Sequence, residues 1–256
     1  MAAQRWLLVF FLGFVLAGCQ AERKPPVATP APAPRTSPAP PPEAAAAPAA
    51  LPNDIKWVQR SAEYHAAVLQ TYSAATARIE QQAASRTAGA WGVILDADET
   101  IISNLQYQIE RVGQGYSPES WAAWVRRREA IPLPGAGAFL ARVRQLGGRI
   151  AIVTNRLESE CEDTRLVFRT HQLPYDLMLC RPDKAPSDKN PRFEAVATGK
   201  TPASPSPLDV VAFVGDNILD FPGLTQGIRQ VGEGTYSEFG VRFFLIPNPM
   251  YGSWER

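Results

Sequence analysis

Three short apolar runs, each ended abruptly by polar residues, most constrain the fold of this chain. They are WGVILDADE at 91–99, GRIAIVTNR at 148–156 and DVVAFVGDN at 209–217. Continuous apolar runs, rather than alternating ones, are typical of strands that are covered on both faces, as in a parallel sheet. Helical patterns at 135–147 and 158–172 lie between them. This alternation predicts an α/β fold with a doubly wound parallel sheet and flanking helices.

Two further patterns extend this prediction. Residues 54–84 carry apolar and small side chains at helical spacing without Pro or Gly, so we expect one or two helices there. The run YDLMLC at 175–180 predicts another strand. About 205 residues follow the N-terminal region, enough for one α/β domain with a small additional helical region.

The N-terminus predicts export and a lipid anchor. Arg5 precedes an apolar run from Trp6 to Ala17, which is shorter than the roughly 20 apolar residues of a membrane-spanning helix. Its charge, length and small-residue ending are typical of a secretory signal. Because the ending LAGC resembles a bacterial lipobox, we interpret residues 1–18 as a lipoprotein signal peptide and Cys19 as the lipidated residue. The alternative is a plain signal peptide with an incidental cysteine.

The residues after the signal predict a tether in the cell envelope. Gln20 stands where lipoproteins of the inner membrane usually carry Asp, so the resemblance favours an outer-membrane anchor in a Gram-negative bacterium. Residues 24–50 hold 10 of the 24 prolines, a composition that cannot bury a core and indicates an extended, semi-stiff segment. We therefore expect a tether over 19–52 and a folded domain over 53–256 that meets the membrane only through its N-terminal lipid.

The net charge bears on nucleic-acid binding, and the cysteines and histidines bear on disulfide and metal sites. The formal net charge is +1 and no basic stripe is visible, which argues against a nucleic-acid partner. Cys161 and Cys180 remain once Cys19 is assigned to lipidation, and in an exported protein they could form a disulfide or stay as a reduced, buried pair. His65 and His171 show no partner pattern, so neither a histidine-dependent phosphatase nor a zinc site is expected.

Acidic residues at two strand ends point to phosphoryl chemistry. Asp96 and Asp98 are one residue apart after the first run, and Asp216 ends the third. Carboxylates this close repel each other unless a cation or a reaction requires them. The carboxyl ends of parallel strands share one edge of the sheet, where three carboxylates would suit Mg²⁺. One carboxylate can accept a phosphoryl group while a second acts as general acid and base.

The motifs resemble a known superfamily. DADET, VTNR and GDNILDF are similar to the first, second and fourth motifs of the haloacid dehalogenase (HAD) superfamily, and Asp98 resembles the second Asp of its phosphohydrolases. WVQRSAEY, SWAAW, DKNPRF and IPNPMYGSWE are similar to the class C nonspecific acid phosphatases, the bacterial lipoprotein 5′-nucleotidases. The resemblance extends from Trp57 to the C-terminus. It implies an HAD-like fold, a Mg²⁺ cofactor and hydrolysis of small phosphomonoesters such as nucleoside 5′-monophosphates.

The resemblance implies roles for the catalytic residues. Asp96 resembles the nucleophile and Asp98 the general acid/base. Thr154 and Asn155 resemble the residues that bind the transferring phosphoryl group, and Lys189 resembles the lysine that neutralises it, with Lys184 and Lys200 as competing candidates. Mg²⁺ would be bound by Asp96, Asp216 and the backbone carbonyl of Asp98, with Asp220 as a nearby acidic partner.

Other residues are assigned around this centre. Trp121 and Tyr251 resemble the aromatic residues that flank the substrate base, whereas Trp124 and Trp254 are expected to be structural. Glu99 is expected to bond locally beside the site. The family often has Leu-Asp-Asn-Ser after the first motif, where this chain has Ile-Ser-Asn-Leu at 102–105.

Two alternatives to a nucleotidase remain open at this point. One is a broad phosphatase without nucleotide preference, and the other is a non-catalytic surface lipoprotein that binds a ligand. The combined presence of Asp96, Asp98, Thr154, Lys189 and Asp216 argues against the second alternative. A homodimer is suggested only by analogy with the family.

Overall fold

A five-stranded parallel sheet forms the centre of the fold. The structure, a computed structural model, describes residues 50–201 and 206–255, so the predicted signal peptide, Cys19 and most of the tether lie outside the described residues. In chain order the strands are β1 (Trp91–Leu95), β2 (Ile102–Ser103), β3 (Ile131–Pro132), β4 (Arg149–Leu157), β5 (Leu177–Arg181), β6 (Asp209–Gly215) and β7 (Phe243–Leu245). The sheet order is β5-β4-β1-β6-β7, and β2 pairs with β3 separately. The predicted doubly wound α/β class is confirmed.

The strand order brings the polar strand ends together. From β1 the chain continues to β4 and β5 on one side, and it then crosses to β6 on the other side. Leu95, the last residue of β1, is in register with Ile152 of β4 and Val214 of β6. In open parallel sheets, the crevice for ligands lies beyond the carboxyl ends where the winding direction changes. Here that point lies between β1 and β6.

Seven helices surround the sheet in the described part of the chain. They are α1 (Asn53–Arg60), α2 (Ala62–Ala83), α3 (Leu105–Glu110), α4 (Pro118–Arg127), α5 (Ala136–Gln145), α6 (Cys161–Thr170) and α7 (Asn190–Thr198). The three helical predictions are confirmed, and the first is divided at Ser61, whose hydroxyl accepts a hydrogen bond from the Tyr64 N–H and caps α2. None of these described helices is both long enough and apolar enough to cross a membrane.

Helices cover both faces of the sheet. Trp91, Val93 and Leu95 of β1 pack into a cluster with side chains of α2 and α5, including Phe139. Ile94, between them in sequence, points to the other face and packs into a second cluster with Phe193 of α7. Since every residue of β1 is buried, on one face or the other, this strand needs the continuous apolar run that the sequence shows.

A small additional region lies between β1 and α5. It contains the antiparallel pair of β2 and β3 and, between these strands in sequence, the helices α3 and α4, in agreement with the predicted extra helical region. Helix α4 begins with a capping box in which the Ser117 hydroxyl accepts a hydrogen bond from the Ser120 N–H, and Pro118 occupies its first turn. This start orients Trp121 and Trp124, one and two turns further along the same helix.

The two remaining cysteines are joined. Cys161, the first residue of α6, forms a disulfide with Cys180 of β5, with 6.0 Å between the two Cα atoms. Of the two states that the sequence left open, the structure therefore has the disulfide rather than the reduced pair. The bond connects the start of α6 to the carboxyl end of β5.

Candidate active site

A cleft of about 590 Å³ opens at the carboxyl edge of the sheet. Its walls include eight of the residues singled out from the sequence: Asp96, Asp98, Trp121, Asn155, Lys189, Asp216, Asp220 and Tyr251. Thr154 is fully buried beneath the cleft rather than on its wall. The predicted residues are thus brought together although they span 155 positions of the sequence, from Asp96 to Tyr251.

Three carboxylates form the floor of the cleft. Oxygens of Asp96, Asp216 and Asp220 all lie within 4.8 Å of one another. Asp96 follows β1, Asp216 follows β6, and Asp220 ends a short 3-10 turn, Ile218–Asp220. Gly215 makes this approach possible, because a Cβ atom there would lie only 2.3 Å from the Cβ atom of Asp220.

A buried lysine faces these carboxylates. The Lys189 Nζ atom lies 2.8 Å from Asp96 Oδ1 and 2.5 Å from Asp220 Oδ1, and the side chain is 3% exposed. Burial alone would lower the pKa of Lys189, but Asp220 and Asp96 raise it above its usual range. The competing candidates Lys184 and Lys200 are both exposed. Lys189 is therefore the lysine that the fold places at the predicted nucleophile.

The carboxylates outnumber the positive charge beside them. Burial raises the pKa of Asp96 to about 7, repulsion from Asp220 and Asp98 adds to the rise, and Lys189 opposes it. Burial, followed by the charges of Asp220 and Asp96, raises the pKa of Asp216 well above its usual value. Carboxylate oxygens with too little positive charge beside them are suitable ligands for a divalent cation, whose binding would relieve their repulsion.

Hydrogen bonds distinguish the two carboxylates after β6. Asp220 accepts the ammonium group of Lys189 on Oδ1 and the Asn217 N–H on Oδ2, at 2.5 and 2.9 Å. Asp216 accepts hydrogen bonds from two side chains, the hydroxyl of Thr100 at 3.2 Å and the amide of Asn248 at 2.8 Å. Both carboxylates thus have each oxygen engaged, but Asp220 is ion-paired to Lys189, whereas Asp216 accepts from neutral side chains, which makes Asp216 the better-placed cation ligand of the two.

Asp98 has a different environment from its neighbour Asp96. Its Oδ1 atom accepts hydrogen bonds from Arg156 Nη2 and Asn104 Nδ2, each at 2.8 Å. Its Oδ1 atom is therefore committed to Arg156 and Asn104, and the resemblance assigns the backbone carbonyl of Asp98, rather than its side chain, to the cation. Two carboxylates with distinct partners can take distinct chemical roles.

The predicted phosphate-binding residues sit at the end of β4. Thr154 Oγ1 accepts a hydrogen bond from the Arg156 N–H at 3.1 Å. Arg192 of α7 donates to the Thr154 carbonyl and, at 2.6 Å, to Asn155 Oδ1. The sequence reasoning assigned no role to Arg192, although it lies within the quoted DKNPRF motif. It fixes the backbone turn on which Asn155 is presented to the cleft.

Aromatic side chains form the outer walls. Trp121 packs edge-on against Tyr107, with ring centroids 5.2 Å apart, and the Arg156 guanidinium lies 5.4 Å from the centroid of the Trp121 ring. The Tyr251 hydroxyl donates to Glu99, which is almost fully buried. Glu99 bonds locally, as expected from the sequence. Both aromatics assigned to base stacking thus face the same cleft as Asp96.

The two tryptophans interpreted as structural differ from each other. Trp124 is 2% exposed, and its indole N–H donates to Asn104 Oδ1 at 2.8 Å. Trp254, by contrast, is 52% exposed and lies outside the core. It follows Gly252 in a C-terminal 3-10 turn and packs over it, where a Cβ atom would lie 2.6 Å from the indole nitrogen.

Arg156 and Asn104 are two further site residues to which sequence reasoning assigned no role. Both are buried and both bind Asp98. The signals were the arginine that ends the second run, in VTNR, and the Asn that the chain keeps at position 104. Neither observation indicates a partner, because Arg156 and Asp98 are 58 residues apart.

Comparison with known proteins agrees with this geometry. The profile of a family described as HAD superfamily, subfamily IIIB (acid phosphatase), matches residues 41–254. The class C acid phosphatase from Bacillus anthracis is 29% identical, with a TM-score of 0.71 over 79% of this chain and 85% of that chain. Its tungstate-bound form is 28% identical, with a TM-score of 0.70 over the same shares. The chain therefore belongs to the class C acid phosphatases of HAD subfamily IIIB and is a phosphoric monoester hydrolase.

Proposed function

We propose that this acid phosphatase depends on Mg²⁺ and hydrolyses nucleoside 5′-monophosphates through an aspartyl-phosphate on Asp96. The observation that carries the nucleotide preference is the position of Trp121 and Tyr251 on the walls of the cleft that holds Asp96 and Lys189. Stacking on an aromatic side chain contributes about 1–3 kcal/mol per base and tolerates any base. The preference would then be for nucleotides as a class.

The chain's own residues supply the chemical steps. Asp96 forms a bond to phosphorus as the bond from phosphorus to the 5′-oxygen breaks, and Asp98 donates its proton to that oxygen. Lys189 neutralises charge on the phosphoryl oxygens, and Asn155 and the turn at Thr154 position them. In the second half, Asp98 removes a proton from the water that attacks phosphorus. The bond to Asp96 then breaks, and phosphate leaves.

The metal requirement rests on the donor set. Asp96, Asp216 and the backbone carbonyl of Asp98 would hold the cation, a set of hard oxygen ligands that suits Mg²⁺. When bound, the cation would supply the positive charge that lets an anionic phosphate approach an anionic nucleophile. The raised pKa values of Asp96 and Asp216 support this requirement, because they indicate that the ionised carboxylates lack sufficient positive charge beside them.

A broad phosphatase without nucleotide preference is the remaining rival. Membership of the acid phosphatases supports catalysis and removes the reason to consider a purely ligand-binding lipoprotein. The rival predicts that the aromatic walls contribute packing rather than recognition. It would be favoured by similar kcat/KM values for nucleotides and simple aryl phosphates that do not change when Trp121 or Tyr251 is replaced.

The experiment is phosphate release by the purified full chain in detergent. Nucleoside monophosphates, an alkyl phosphate and an aryl phosphate would be compared with Mg²⁺ and with chelator, with Asp96→Asn as the inactive control. We expect nucleotides to be the best substrates, chelator to abolish turnover, and Trp121→Ala and Tyr251→Ala to reduce kcat/KM selectively for nucleotides. Retained turnover in chelator would contradict the metal proposal.

We also propose that the enzyme is anchored to the outer membrane by a lipid on Cys19. The lipobox-like LAGC sequence and the proline-rich tether over 19–52 support this, together with a folded domain over 53–256. Palmitate labelling and outer-membrane fractionation of the wild type and Cys19→Ala would test it. We expect Cys19→Ala to lose the label and the membrane association. Equal labelling of both proteins would contradict the anchor.

A further inference from the structure

We propose that Arg156 and Asn104 are positioning residues that hold Asp98 so that its Oδ2 atom delivers the proton to the leaving oxygen. This inference deepens the proposed function and rests on the part of it in which Asp98 is the general acid. It assigns a role to two buried residues and distinguishes the two oxygens of one carboxylate.

The two Asp98 oxygens have unequal partners. Oδ1 accepts three hydrogen bonds: from Asn104 Nδ2 at 2.8 Å, Arg156 Nη2 at 2.8 Å and Arg156 Nε at 3.0 Å. Among the residues that the structure describes, Oδ2 accepts a hydrogen bond only from Arg156 Nε, at 3.2 Å. A carboxylate oxygen has about two lone-pair sites, so Oδ1 is saturated and Oδ2 retains a site for a proton.

The Arg156 guanidinium is fixed and cannot rotate together with the Asp98 carboxylate. Its side chain is almost fully buried, Nη1 donates to Thr164 Oγ1 at 3.1 Å, and Nη2 also donates to Asn104 Oδ1 at 3.0 Å. The ring of Trp121 lies against the guanidinium. A planar guanidinium fixed on several sides defines the plane of the carboxylate that it binds, which a flexible ammonium group would not do.

Asn104 is also fixed by several hydrogen bonds. It is fully buried, and its Oδ1 atom accepts the Trp124 N–H at 2.8 Å in addition to the Arg156 bond. Its Nδ2 atom donates to Glu99 Oε2 at 3.0 Å as well as to Asp98, and its backbone N–H donates to Glu99 Oε1 at 2.6 Å. The side-chain amide therefore has two donors at its oxygen and two acceptors at its nitrogen, which fixes its orientation.

The consequence depends on the leaving group. An alkyl alkoxide, such as a nucleoside 5′-oxygen, is strongly basic and needs a proton as the bond to phosphorus breaks, whereas 4-nitrophenolate is stable without one. Misplacing Asp98 Oδ2 should therefore slow phosphoryl transfer from alkyl esters and spare transfer from 4-nitrophenyl phosphate. The later attack of water, which needs Asp98 as base, should slow for both substrates.

The test uses Arg156→Lys, which keeps the charge and loses the planar fork. The full chain in detergent with Mg²⁺ would be assayed for kcat/KM, which reports on steps up to phosphoryl transfer to Asp96. We expect kcat/KM for adenosine 5′-monophosphate to fall by about 10²-fold or more and kcat/KM for 4-nitrophenyl phosphate to fall by less than about 5-fold. A burst of 4-nitrophenolate, equal to the enzyme concentration, should precede slow turnover of the variant.

Two gentler variants keep the test decisive if Arg156→Lys does not fold. Thr164→Val removes a partner of Arg156, and Trp124→Phe removes a donor to Asn104, while Asp98 keeps all its contacts. We expect each to lower the alkyl-to-aryl ratio of kcat/KM by about 10-fold, the lower end of the range for outer hydrogen-bond partners. The matched control is Arg86→Lys, at an arginine bonded to Asp209 on the surface, which should leave both rates unchanged.

Equal losses for both substrates, or none in any variant, would overturn the proposal. Assays with glycerol 3-phosphate, a simple alkyl ester, distinguish this outcome from failure of the proposed nucleotide preference. If the wild type hydrolyses glycerol 3-phosphate but not nucleotides, the nucleotide preference is wrong. The comparison of alkyl and aryl esters would then be made with glycerol 3-phosphate and would still decide the role of Arg156.

Discussion

At the residue scale, the site joins carboxylates whose charges oppose one another. Asp96, Asp216 and Asp220 lie close together, and the ammonium group of Lys189 is paired with Asp96 and Asp220. A free carboxylate has a pKa near 4, and each unit of upward shift corresponds to about 1.4 kcal/mol against the ionised form in the folded state. Without a cation, the clustered carboxylates therefore destabilise the folded protein. Variants that change a single charge should alter the free energy of unfolding.

Asp216→Asn should stabilise the metal-free protein. The variant removes one buried negative charge, and the new amide can accept from Asn248 and donate to the Thr100 hydroxyl, which now contacts Asp216. We expect the free energy of unfolding in urea with chelator at pH 8 to rise by about 1 kcal/mol. The exposed Asp209→Asn serves as control and should change it by less than about 0.5 kcal/mol. A less stable Asp216→Asn would contradict this view of the site.

Lys189→Met should have the opposite effect. Removing the buried ammonium group leaves Asp96 and Asp220 without their positive partner, and breaking a buried ion pair in this way costs about 3–5 kcal/mol. Urea unfolding in chelator would measure the loss. Lys184→Met, at an exposed lysine five residues earlier, is the matched control and should be neutral. Equal stability of the two variants would show that Lys189 carries little of the charge balance.

The residues that sequence reasoning found and missed differ in a physical way. Asp96, Asp98 and Asp216 could be predicted because each interrupts an apolar strand run, which is a local feature. Arg156 could not be assigned a role because its partners, Asp98 and Thr164, are chosen by tertiary packing. A lone arginine after a strand is also typical of surface salt bridges.

At the scale of elements, long patterns were predictable and short ones were not. The runs of β1, β4 and β6 were recognised, and β1 ends at Leu95, directly before the acidic residues that end the first run. Beyond it, the Ile101 and Ile102 N–H groups turn back to the Ala97 carbonyl. The three residues of β7 and the two-residue strands β2 and β3 are too short for a period to be visible. They form because the neighbouring elements offer them hydrogen-bond partners.

The disulfide between α6 and β5 should stabilise the fold appreciably. It closes a loop of 19 residues, for which restriction of the unfolded chain contributes about 3 kcal/mol. We expect Cys161→Ala/Cys180→Ala to lose about that amount in urea unfolding without reductant. Dithiothreitol should lower the stability of the wild type toward that of the double variant and leave the variant unchanged. Identical unfolding curves for both proteins without reductant would contradict a stabilising disulfide.

At the scale of the whole molecule, the sheet topology explains why distant residues meet. The strand order places β1 between β4 and β6, so the three polar strand ends become neighbours at one edge. The region between β1 and α5 then adds Trp121 on one wall, and the C-terminal segment adds Tyr251. The sheet edge was predictable from sequence, whereas the walls were known only through resemblance, because their aromatics carry no periodic signal.

The whole molecule should also link divalent cations, pH and stability. The folded-state pKa of Asp96, about 7, lies above that of a carboxyl in the unfolded chain. The protonated form is therefore favoured by folding, and the metal-free protein should lose stability as pH rises from about 4 to 7. A cation binds the ionised form, so the gain in Tm from Mg²⁺ over chelator should be small at pH 5 and grow toward pH 8.

Thermal unfolding in Mg²⁺ and in chelator at pH 5, 6, 7 and 8 measures this linkage. We expect the difference in Tm to increase steadily across the series and to shrink at every pH in Asp216→Asn, which keeps Asp96 but removes a ligand. A difference that is constant with pH would mean that the cation does not compete with protons at Asp96. A difference of the same size in Asp216→Asn would mean that the cation binds elsewhere on the chain.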